Sequence, residues 1–222
     1  MIKAVLYDMD GTVLDTMKLY EAGWDYADRE YGYGGRARAL VPKLAGTNDT
    51  DGAAIVRANL GEDFPYDEFR KVMFGRMDAM IAQEGIPCKP GAPEIFATLR
   101  EMGIKQILVT SSSPARVYPY LKVAGIENEF DDVVTGDMVT HSKPDPEIFL
   151  IGAKRAGCEP SECVVVEDAV NGARAGIAAG MRTVMIPEYP PIPDDLMPQL
   201  WHECKSLAEL PAWIENENKT NP

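Results

Sequence analysis

The pattern of apolar and polar positions divides the chain into an alternating part and a helical part. After residue 90, short apolar runs predict buried strands at 106–110, 132–135, 163–167 and 182–186. Between and around them, helical patterns cover 93–102, 114–124, 146–156 and 169–179. Strands that alternate with helices of about ten residues form right-handed crossovers in a parallel sheet.

The first apolar run, which ends at Asp8, predicts one more strand, and its only available partner is the same sheet. Between this strand and residue 86 we find no strand pattern, and helices are predicted at 17–31, with Thr16 as N-cap, and at 49–59 and 66–83. The helical block is therefore an insertion. We predict an α/β protein with a doubly wound, Rossmann-like parallel sheet core (1–15 and 86–222) and an inserted all-helical cap domain (16–85). A last helix is predicted near 206–214, with frayed residues from 216 to 222.

Composition narrows the range of partners. The chain of 222 residues carries 35 acidic and 22 basic side chains, a net charge of −13, and no Lys/Arg cluster. Such a chain would repel nucleic acid and anionic membranes. No signal peptide precedes the first strand, and no apolar run approaches the ~20 residues of a membrane helix. Four cysteines without C-x-x-C pairing indicate a reducing compartment, so we expect a cytoplasmic protein, and a monomer because no spare apolar stripe is visible.

Candidate chemistry begins where the first strand ends, at Asp8 and Asp10. Residues two apart on an extended segment point the same way, so the two carboxylates crowd one another. Like charges this close require a cation or a shared proton. The stretch therefore predicts a metal site with one carboxylate free for covalent work, although an ordinary strand followed by an Asp-Gly turn fits this stretch alone equally well.

Other polar side chains follow the later strands, and the carboxyl ends of parallel strands meet at one edge. They are the hydroxyl residues of 110–113, Lys143 before a helix, and the pair Glu167 and Asp168. With Asp8 and Asp10, four acids face a single lysine. A hard divalent cation with oxygen ligands would offset the excess, which favours Mg²⁺, and the lack of nearby His or Cys argues against zinc.

A phosphoryl group fits the remaining parts of this edge. Ser111 and the backbone N–H groups of Gly11 and Thr12 can cradle its oxygens, and Lys143 can neutralise them. An aspartate nucleophile then forms an aspartyl-phosphate, which divides one difficult displacement into two.

Four segments in chain order resemble the motifs of the haloacid dehalogenase (HAD) superfamily, in its β-phosphoglucomutase-like phosphatase branch with a helical cap. They are Asp8-Met9-Asp10-Gly11-Thr12, the serine at Ser111, Lys143-Pro144-Asp145-Pro146 and Glu167-Asp168-Ala169-Val170-Asn171-Gly172. The resemblance spans nearly the whole chain. It implies Mg²⁺ as cofactor, a small phosphorylated metabolite as substrate, and hydrolysis of a phosphate monoester, such as a sugar phosphate.

The resemblance also assigns roles. Asp8 is the nucleophile and a metal ligand. Asp10 is the general acid and base, and its backbone carbonyl binds the metal. Lys143 steadies Asp8 and the phosphoryl group. Asp168 is a metal ligand, and Glu167 binds the metal or supports its ligands. The phosphate-binding set is Gly11, Thr12, Ser111, Ser112 and Lys143, with Thr110 replacing Ser111 if the register shifts by one. Because dehalogenating relatives lack the second aspartate, Asp10 indicates phosphoryl transfer.

The cap decides between functions. Mutases of this type carry a histidine where this chain has Tyr20 and an arginine where it has Asp49, so the β-phosphoglucomutase-like alternative is weakened. A catalytically silent binding protein is the third hypothesis, and the intact acids at the sheet edge argue against it. The cap residues expected to contact substrate are Tyr20, Lys43, Gly46, Thr47, Asn48 and Arg76. The identity of the substrate and the open or closed state of the cap are not predicted.

Overall fold

A computed structural model describes residues 1–189 and 191–221. Its six-stranded parallel sheet has the order β3-β2-β1-β4-β5-β6. The strands are β1 (Ala4–Tyr7), β2 (Lys105–Val109), β3 (Asp132–Val134), β4 (Cys163–Glu167), β5 (Arg182–Met185) and β6 (His202–Glu203). The strand order reverses beside β1, and the adjoining strand ends form the place where open α/β sheets bind ligands.

Helices account for most of the rest of the described chain. The α-helices are α1 (Met17–Tyr31), α2 (Val41–Leu44), α3 (Asp49–Leu60), α4 (Tyr66–Glu84), α5 (Ala92–Glu101), α6 (Pro114–Ala124), α7 (Glu147–Ala156), α8 (Val170–Ala178) and α9 (Leu210–Thr220). Short 3₁₀ helices cover Arg38–Leu40, Gly136–Met138, Pro160–Glu162, Met197–Gln199 and Leu207–Glu209. The doubly wound α/β fold with an inserted helical cap is confirmed.

Both faces of the sheet are covered by helices. Successive residues of β1 alternate between the faces, so Leu6 joins the apolar layer under α7 and α8, whereas Val5 and Tyr7 join the layer that contains α5, α6 and α9. All four side chains of β1 are buried. A strand without a solvent face reads as a continuous apolar run, which is why the sequence pattern identified it.

The cap has an aromatic core of its own. Helices α1 and α4 pack against each other through Trp24 and Phe69, whose ring centroids are 5.0 Å apart. The buried Asp28 carboxylate accepts backbone N–H groups from Gly35, Ala37 and Arg38, which fixes the segment that follows α1. These bonds satisfy an otherwise costly buried charge.

Two neighbouring segments connect the cap to the sheet. The N–H of Asp15 donates to the Pro87 carbonyl at 2.8 Å, and the N–H of Lys89 donates to the Val13 carbonyl at 2.8 Å. The entry and exit of the cap are thus held side by side. The predicted limits at 15/16 and 85/86 lie in or next to this paired region, and they stay predictions.

Three details differ from the sequence predictions. Strand β6 was not predicted, because two residues carry too little pattern to be recognised. Residues 216–220, predicted to fray, continue α9 to Thr220, and the Asn218 side chain bonds the backbone of Ile2. The four-residue helix α2 was also missed. Pro222, the last residue of the predicted frayed end, lies outside the described residues. Among those described, no helix combines the length and apolar character needed to span a membrane.

Candidate active site

The predicted residues meet at the carboxyl edge of the sheet, on both sides of the order reversal. Asp8 follows β1, Glu167 ends β4, and Asp168 comes directly after it. Strand β2, on the other side of β1, leads into the hydroxyl residues 110–113. Because β1, β2 and β4 are parallel neighbours in close register, their ends deliver these groups to one place.

Lys143 bridges two of the acids. Its Nζ lies 2.6 Å from Asp8 Oδ1 and 2.5 Å from Glu167 Oε1, and the lysine side chain has no exposed surface. Burial opposes the ammonium charge, but Asp8 and Glu167 more than offset that effect, so the pKa of Lys143 is raised. The lysine therefore carries a fixed positive charge beside Asp8.

Asp8, Glu167 and Asp168 form a buried acidic cluster, in which one oxygen of each lies within 4.8 Å of the others. Burial raises the pKa of Glu167 to about 7, in spite of Lys143. Burial, with Glu167 and Asp8 adding to it, raises the pKa of Asp168 well above its ordinary value. Three acids against one lysine leave an excess of negative charge. Their hard oxygen donors fit a divalent cation, which would offset it.

Within this cluster, Glu167 is already engaged by the protein. Its Oε1 accepts from Lys143, and its Oε2 accepts from the N–H groups of Asp168 and Ala169 at 3.2 and 3.3 Å. A Cβ at Gly172 would collide with this carboxylate, so only glycine allows helix α8 to approach it. The arrangement favours Glu167 as the group that orients Lys143, and leaves Asp8 and Asp168 as the better metal ligands.

Asp10 lies in a different environment from Asp8. Its Oδ1 accepts from the Thr16 hydroxyl at 2.8 Å and its Oδ2 from the Ser112 hydroxyl at 2.9 Å. Burial and the neighbouring charge of Asp8 raise the pKa of Asp10, and these two hydrogen bonds lower it in part. Thr16 was predicted as the N-cap of α1. It occupies that position, but its hydroxyl caps nothing and instead holds Asp10.

The predicted phosphate cradle is only partly available. Ser111 and Ser112 line the cavity above the sheet, but the Ser112 hydroxyl is used by Asp10. The Gly11 N–H donates to the Leu14 carbonyl at 2.9 Å, so the structure does not offer that group to a phosphate. The buried Thr12 hydroxyl donates to Asp168 at 3.3 Å. Gly11 has φ 87° and abuts Asp168, so a side chain there would be strained and would collide.

Thr110 and Ser111 were alternatives for the phosphate-binding hydroxyl. Thr110 is 1% exposed, and its hydroxyl accepts the Ser112 N–H at 3.1 Å. Ser111 is half-buried, and its hydroxyl donates at 3.3 Å to the Gly46 carbonyl of the cap. Ser111 is therefore the better placed of the two to contact a ligand.

The cap covers this edge, and between them lies a cavity of about 1070 Å³ that is partly open to solvent. Besides the contact between Ser111 and Gly46, the Ser142 hydroxyl bonds Asp51 of α3. Asn48 caps α3 by accepting the Asp51 N–H at 2.9 Å, and Thr47 donates to the Leu44 carbonyl at 2.8 Å. The predicted cap loop thus lies over the acids, with its own polar side chains partly engaged.

Four of the six cap residues predicted to contact substrate line the cavity: Tyr20, Gly46, Thr47 and Asn48. The structure does not bring the other two there. Lys43 is exposed and its Nζ lies 3.4 Å from Asn59 Oδ1, and Arg76 is exposed with its guanidinium over Tyr26. A charge pattern alone does not reveal which face of a helix meets the cavity.

Sequence reasoning missed three arginines that do line the cavity: Arg57 on α3, Arg70 on α4 and Arg116 on α6. Arg70 pairs with Asp49, the acid that stands where mutases carry an arginine. One signal was available. Arg70, Phe74 and Asp78 are spaced by four residues, so they share one face of α4, whereas Arg76 falls on another.

Comparisons with known proteins agree with this geometry. Residues 2–180 match the family described as haloacid dehalogenase-like hydrolase. Hexitol phosphatase A of Escherichia coli (strain K12) is 32% identical over 83% of this chain and 82% of its own length. Phosphorylated carbohydrates phosphatase of Thermotoga maritima is 29% identical over 82% and 84%. The crystal structure of CbbY from Rhodobacter sphaeroides in complex with phosphate shares the fold, with a TM-score of 0.77 and 24% identity over 95% and 96%.

The chain belongs to the haloacid dehalogenase-like hydrolases, so the predicted membership of that superfamily, in the branch with a helical cap, is confirmed. It is an enzyme. Hydrolases of this family generally use a divalent metal, and the buried acidic cluster fits one.

Proposed function

We propose that this protein is a phosphatase that hydrolyses a small sugar phosphate through an aspartyl-phosphate on Asp8. The observation that carries the proposal is the different treatment of two neighbouring carboxylates. Asp8 lies against the Lys143 ammonium at 2.6 Å, whereas Asp10 has no such cation and burial and Asp8 raise its pKa. Environments that separate two carboxylates in this way assign one as nucleophile and the other as acid.

In the first step, an Asp8 oxygen attacks phosphorus and the bond to the leaving oxygen breaks. Asp10 gives its proton to that oxygen, which leaves as the sugar hydroxyl. In the second step, Asp10 takes a proton from water, and the water oxygen attacks phosphorus. Inorganic phosphate departs, and Asp8 regains its carboxylate. Thr16 and Ser112 keep Asp10 oriented throughout.

Lys143 and Ser111 support the phosphoryl group. The ammonium, fixed between Asp8 and Glu167, stabilises negative charge on the phosphoryl oxygens, and the Ser111 hydroxyl is placed to donate to one of them. Asp8, Asp168 and the Asp10 carbonyl would hold a divalent cation, which we propose is Mg²⁺ because the donors are all hard oxygens. The bound cation would supply further charge neutralisation for the phosphoryl oxygens.

A sugar phosphate is supported by the relatives and by the cavity. Two relatives are named for hexitol and for phosphorylated carbohydrates. The cavity is large enough for such a ligand and combines acids, arginines and hydroxyl groups. The mutase alternative is less supported, because these relatives are named as phosphatases. A small phosphorylated partner follows from the proposal. The monomeric state and cytoplasmic location stay predictions, and light scattering on purified protein would test the first.

The test is hydrolysis of 4-nitrophenyl phosphate with added Mg²⁺. We expect turnover that stops in EDTA and is abolished in Asp8→Asn. Asp15→Asn is the matched control, because Asp15 lies in the same segment but does not line the cavity. Turnover by Asp8→Asn, or activity unchanged in EDTA, would contradict the mechanism. Conversion of glucose 1-phosphate to the 6-isomer with a bisphosphate activator would restore the mutase alternative.

A further inference from the structure

Arg116 lies where the sheet domain meets the cap, and no step of the mechanism uses it. It belongs to the first turn of α6, the helix that directly follows the hydroxyl residues 110–113. Its side chain is 22% exposed and lines the cavity that contains Asp10 and Ser112. An arginine in this position is close to the reacting edge without being part of it.

The Arg116 guanidinium is held by groups from both domains. Its central carbon lies 3.3 Å from the centroid of the Phe74 ring on α4. Nη1 donates to the Tyr120 hydroxyl at 2.5 Å and lies 3.9 Å from the Asp78 carboxylate. The Phe74 ring beneath the guanidinium plane and the hydrogen bond to Tyr120 at one edge fix the orientation of the guanidinium.

The same contacts use only one edge of the Arg116 guanidinium. Among the described residues, no protein atom accepts a hydrogen bond from Nε or Nη2 of Arg116. The Arg116 side chain is 22% exposed and its nitrogens are not among the buried polar atoms without a partner, so water reaches these N–H groups. A ligand that enters the cavity can replace that water as their acceptor.

The charges around Arg116 point to a neutral acceptor. A second arginine, Arg70, also lies over Phe74, at 4.6 Å, but it is paired with Asp49. Arg116 has Asp78 nearby. Arg57 and Lys71 line the same cavity, but the described residues of its wall include seven acids against four cations. Tyrosine hydroxyls from Tyr66 and Tyr120 face the same cavity. Paired charges with mixed donors and acceptors suit hydroxyl groups, whereas a second anion would require surplus positive charge.

We propose that Arg116 is a specificity-determining residue, whose guanidinium, held flat on Phe74, donates hydrogen bonds to sugar hydroxyl oxygens beyond the phosphate. The proposal rests on the proposed function and adds the residue that distinguishes a polyol phosphate from a simple phosphate ester. Because Phe74 belongs to the cap and Arg116 to the core, the contact forms only when the cap is closed.

The kinetic test compares two substrates, sorbitol 6-phosphate and 4-nitrophenyl phosphate, which carries no hydroxyl groups. In Arg116→Gln and Arg116→Lys we expect kcat/KM for sorbitol 6-phosphate to fall about tenfold or more, mainly through KM. Hydrolysis of the aryl phosphate should change less than about twofold. Arg100→Gln is the control, because Arg100 is an exposed core-helix arginine paired with Glu129. Equal losses on both substrates, or no loss on either, would overturn the proposal.

One further readout separates this role from a purely electrostatic one. Arg116 has the smallest of the named effects on the pKa of Asp10, after burial, Asp8 and the Thr16 and Ser112 hydroxyls, so loss of its charge should hardly change hydrolysis of the aryl phosphate. If charge alone mattered, Arg116→Lys would retain full activity on the sugar phosphate, and that result would also overturn the proposal.

Binding distinguishes this inference from the proposed phosphatase activity. In an Asp8→Asn background, calorimetry should show that Arg116→Gln weakens binding of sorbitol 6-phosphate about tenfold, while inorganic phosphate binds as before. That difference is expected even if the enzyme turns over neither substrate, in which case only the proposed function fails. Equal binding by the two proteins would contradict the role of Arg116.

Discussion

The wall of the cavity formed by the sheet and the wall formed by the cap hold their polar side chains in different ways. On the sheet side, Lys143, Asp8 and Glu167 are buried and bonded to one another, and each is delivered by the end of a strand or by an adjoining loop. On the cap side, Arg70 and Asp49 come from helices and keep part of their surface in solvent. The sheet wall is a fixed charge network suited to one reaction. The cap wall is a more exposed surface suited to distinguishing one substrate from another.

The largest effect should come from breaking the network of the sheet wall at Lys143. Lys143→Met would leave Asp8 and Glu167 buried without their shared cation, which should cost about 3–5 kcal/mol of the free energy of unfolding. Activity should fall by about 10²- to 10³-fold, because the phosphoryl oxygens lose a fixed positive charge. Chemical denaturation and turnover of an aryl phosphate are the measurements.

The matched control is Lys89→Met. Lys89 also contacts two acids, Glu188 at 2.7 Å and Asp15 at 3.9 Å, but it lies near the surface and away from the cavity. Its loss should cost no more than about 1 kcal/mol. If the two variants were equally stable and equally active, the contrast between buried network and surface pair would be wrong.

The second effect is the dependence of the free energy of unfolding on pH and on bound metal. Burial raises the pKa of Glu167 from 4.5 to about 7, and that of Asp168 is also raised, so the folded protein binds more protons than the unfolded chain in this range. Without metal, the free energy of unfolding should therefore fall as pH rises through this window, by up to about 3 kcal/mol. Saturating Mg²⁺ should remove the fall, because it replaces the bound protons.

Thermal melts in EDTA and in Mg²⁺ between about pH 5 and pH 8 would measure this linkage. Glu162→Gln is a useful comparison, since its pKa is lowered by Lys3 and by the Glu159 N–H, and it belongs to neither group of described residues that could hold a metal. A melting temperature that rises with pH in EDTA would mean that the cluster is not a source of strain in the metal-free protein.

These two walls also explain how far the sequence could be interpreted. The acids and Lys143 were predicted because parallel strands place their carboxyl ends together, whatever the details of packing. Four cap residues that line the cavity were predicted as well, but its arginines were not, because helical periodicity defines a buried face but not which solvent-facing side chain is covered by a second domain. The sequence places Arg70 and Arg76 on different faces of α4, but only the packing of that helix shows which face meets the cavity. Thr16 was missed for a related reason, since a cap position was a sufficient explanation for it.

A third, smaller effect tests the hydrogen bond from Thr16 that orients Asp10. Thr16→Val keeps the shape of the side chain but removes the donor to Oδ1, so the pKa of Asp10 should rise further. Since kcat/KM requires protonated Asp10 in the first step, its decline with rising pH should move to higher pH. The maximal rate should fall about tenfold because Asp10 is less well oriented.

Thr98→Val is the control for that change, as the Thr98 hydroxyl donates to the Glu94 carbonyl on the exposed face of α5. This variant should hydrolyse an aryl phosphate at the same rate and with the same pH profile as the unaltered protein. A profile for Thr16→Val that moved to lower pH would contradict the assignment of Asp10 as the acid.

The smallest effects should come from the cap wall, where two arginines of helix α4 form a natural pair of variants. Arg70→Gln removes a cation that lines the cavity, whereas Arg76→Gln removes one that faces Tyr26 and solvent. Six positions along a helix of 3.6 residues per turn place them on different faces. We expect Arg70→Gln to raise KM for a sugar phosphate by about three- to tenfold and Arg76→Gln to change it less than about twofold. Neither should alter hydrolysis of 4-nitrophenyl phosphate, because that substrate has no hydroxyl groups for a cap arginine to bind. If Arg76→Gln had the larger effect, α4 would present a different face to the substrate than the structure indicates.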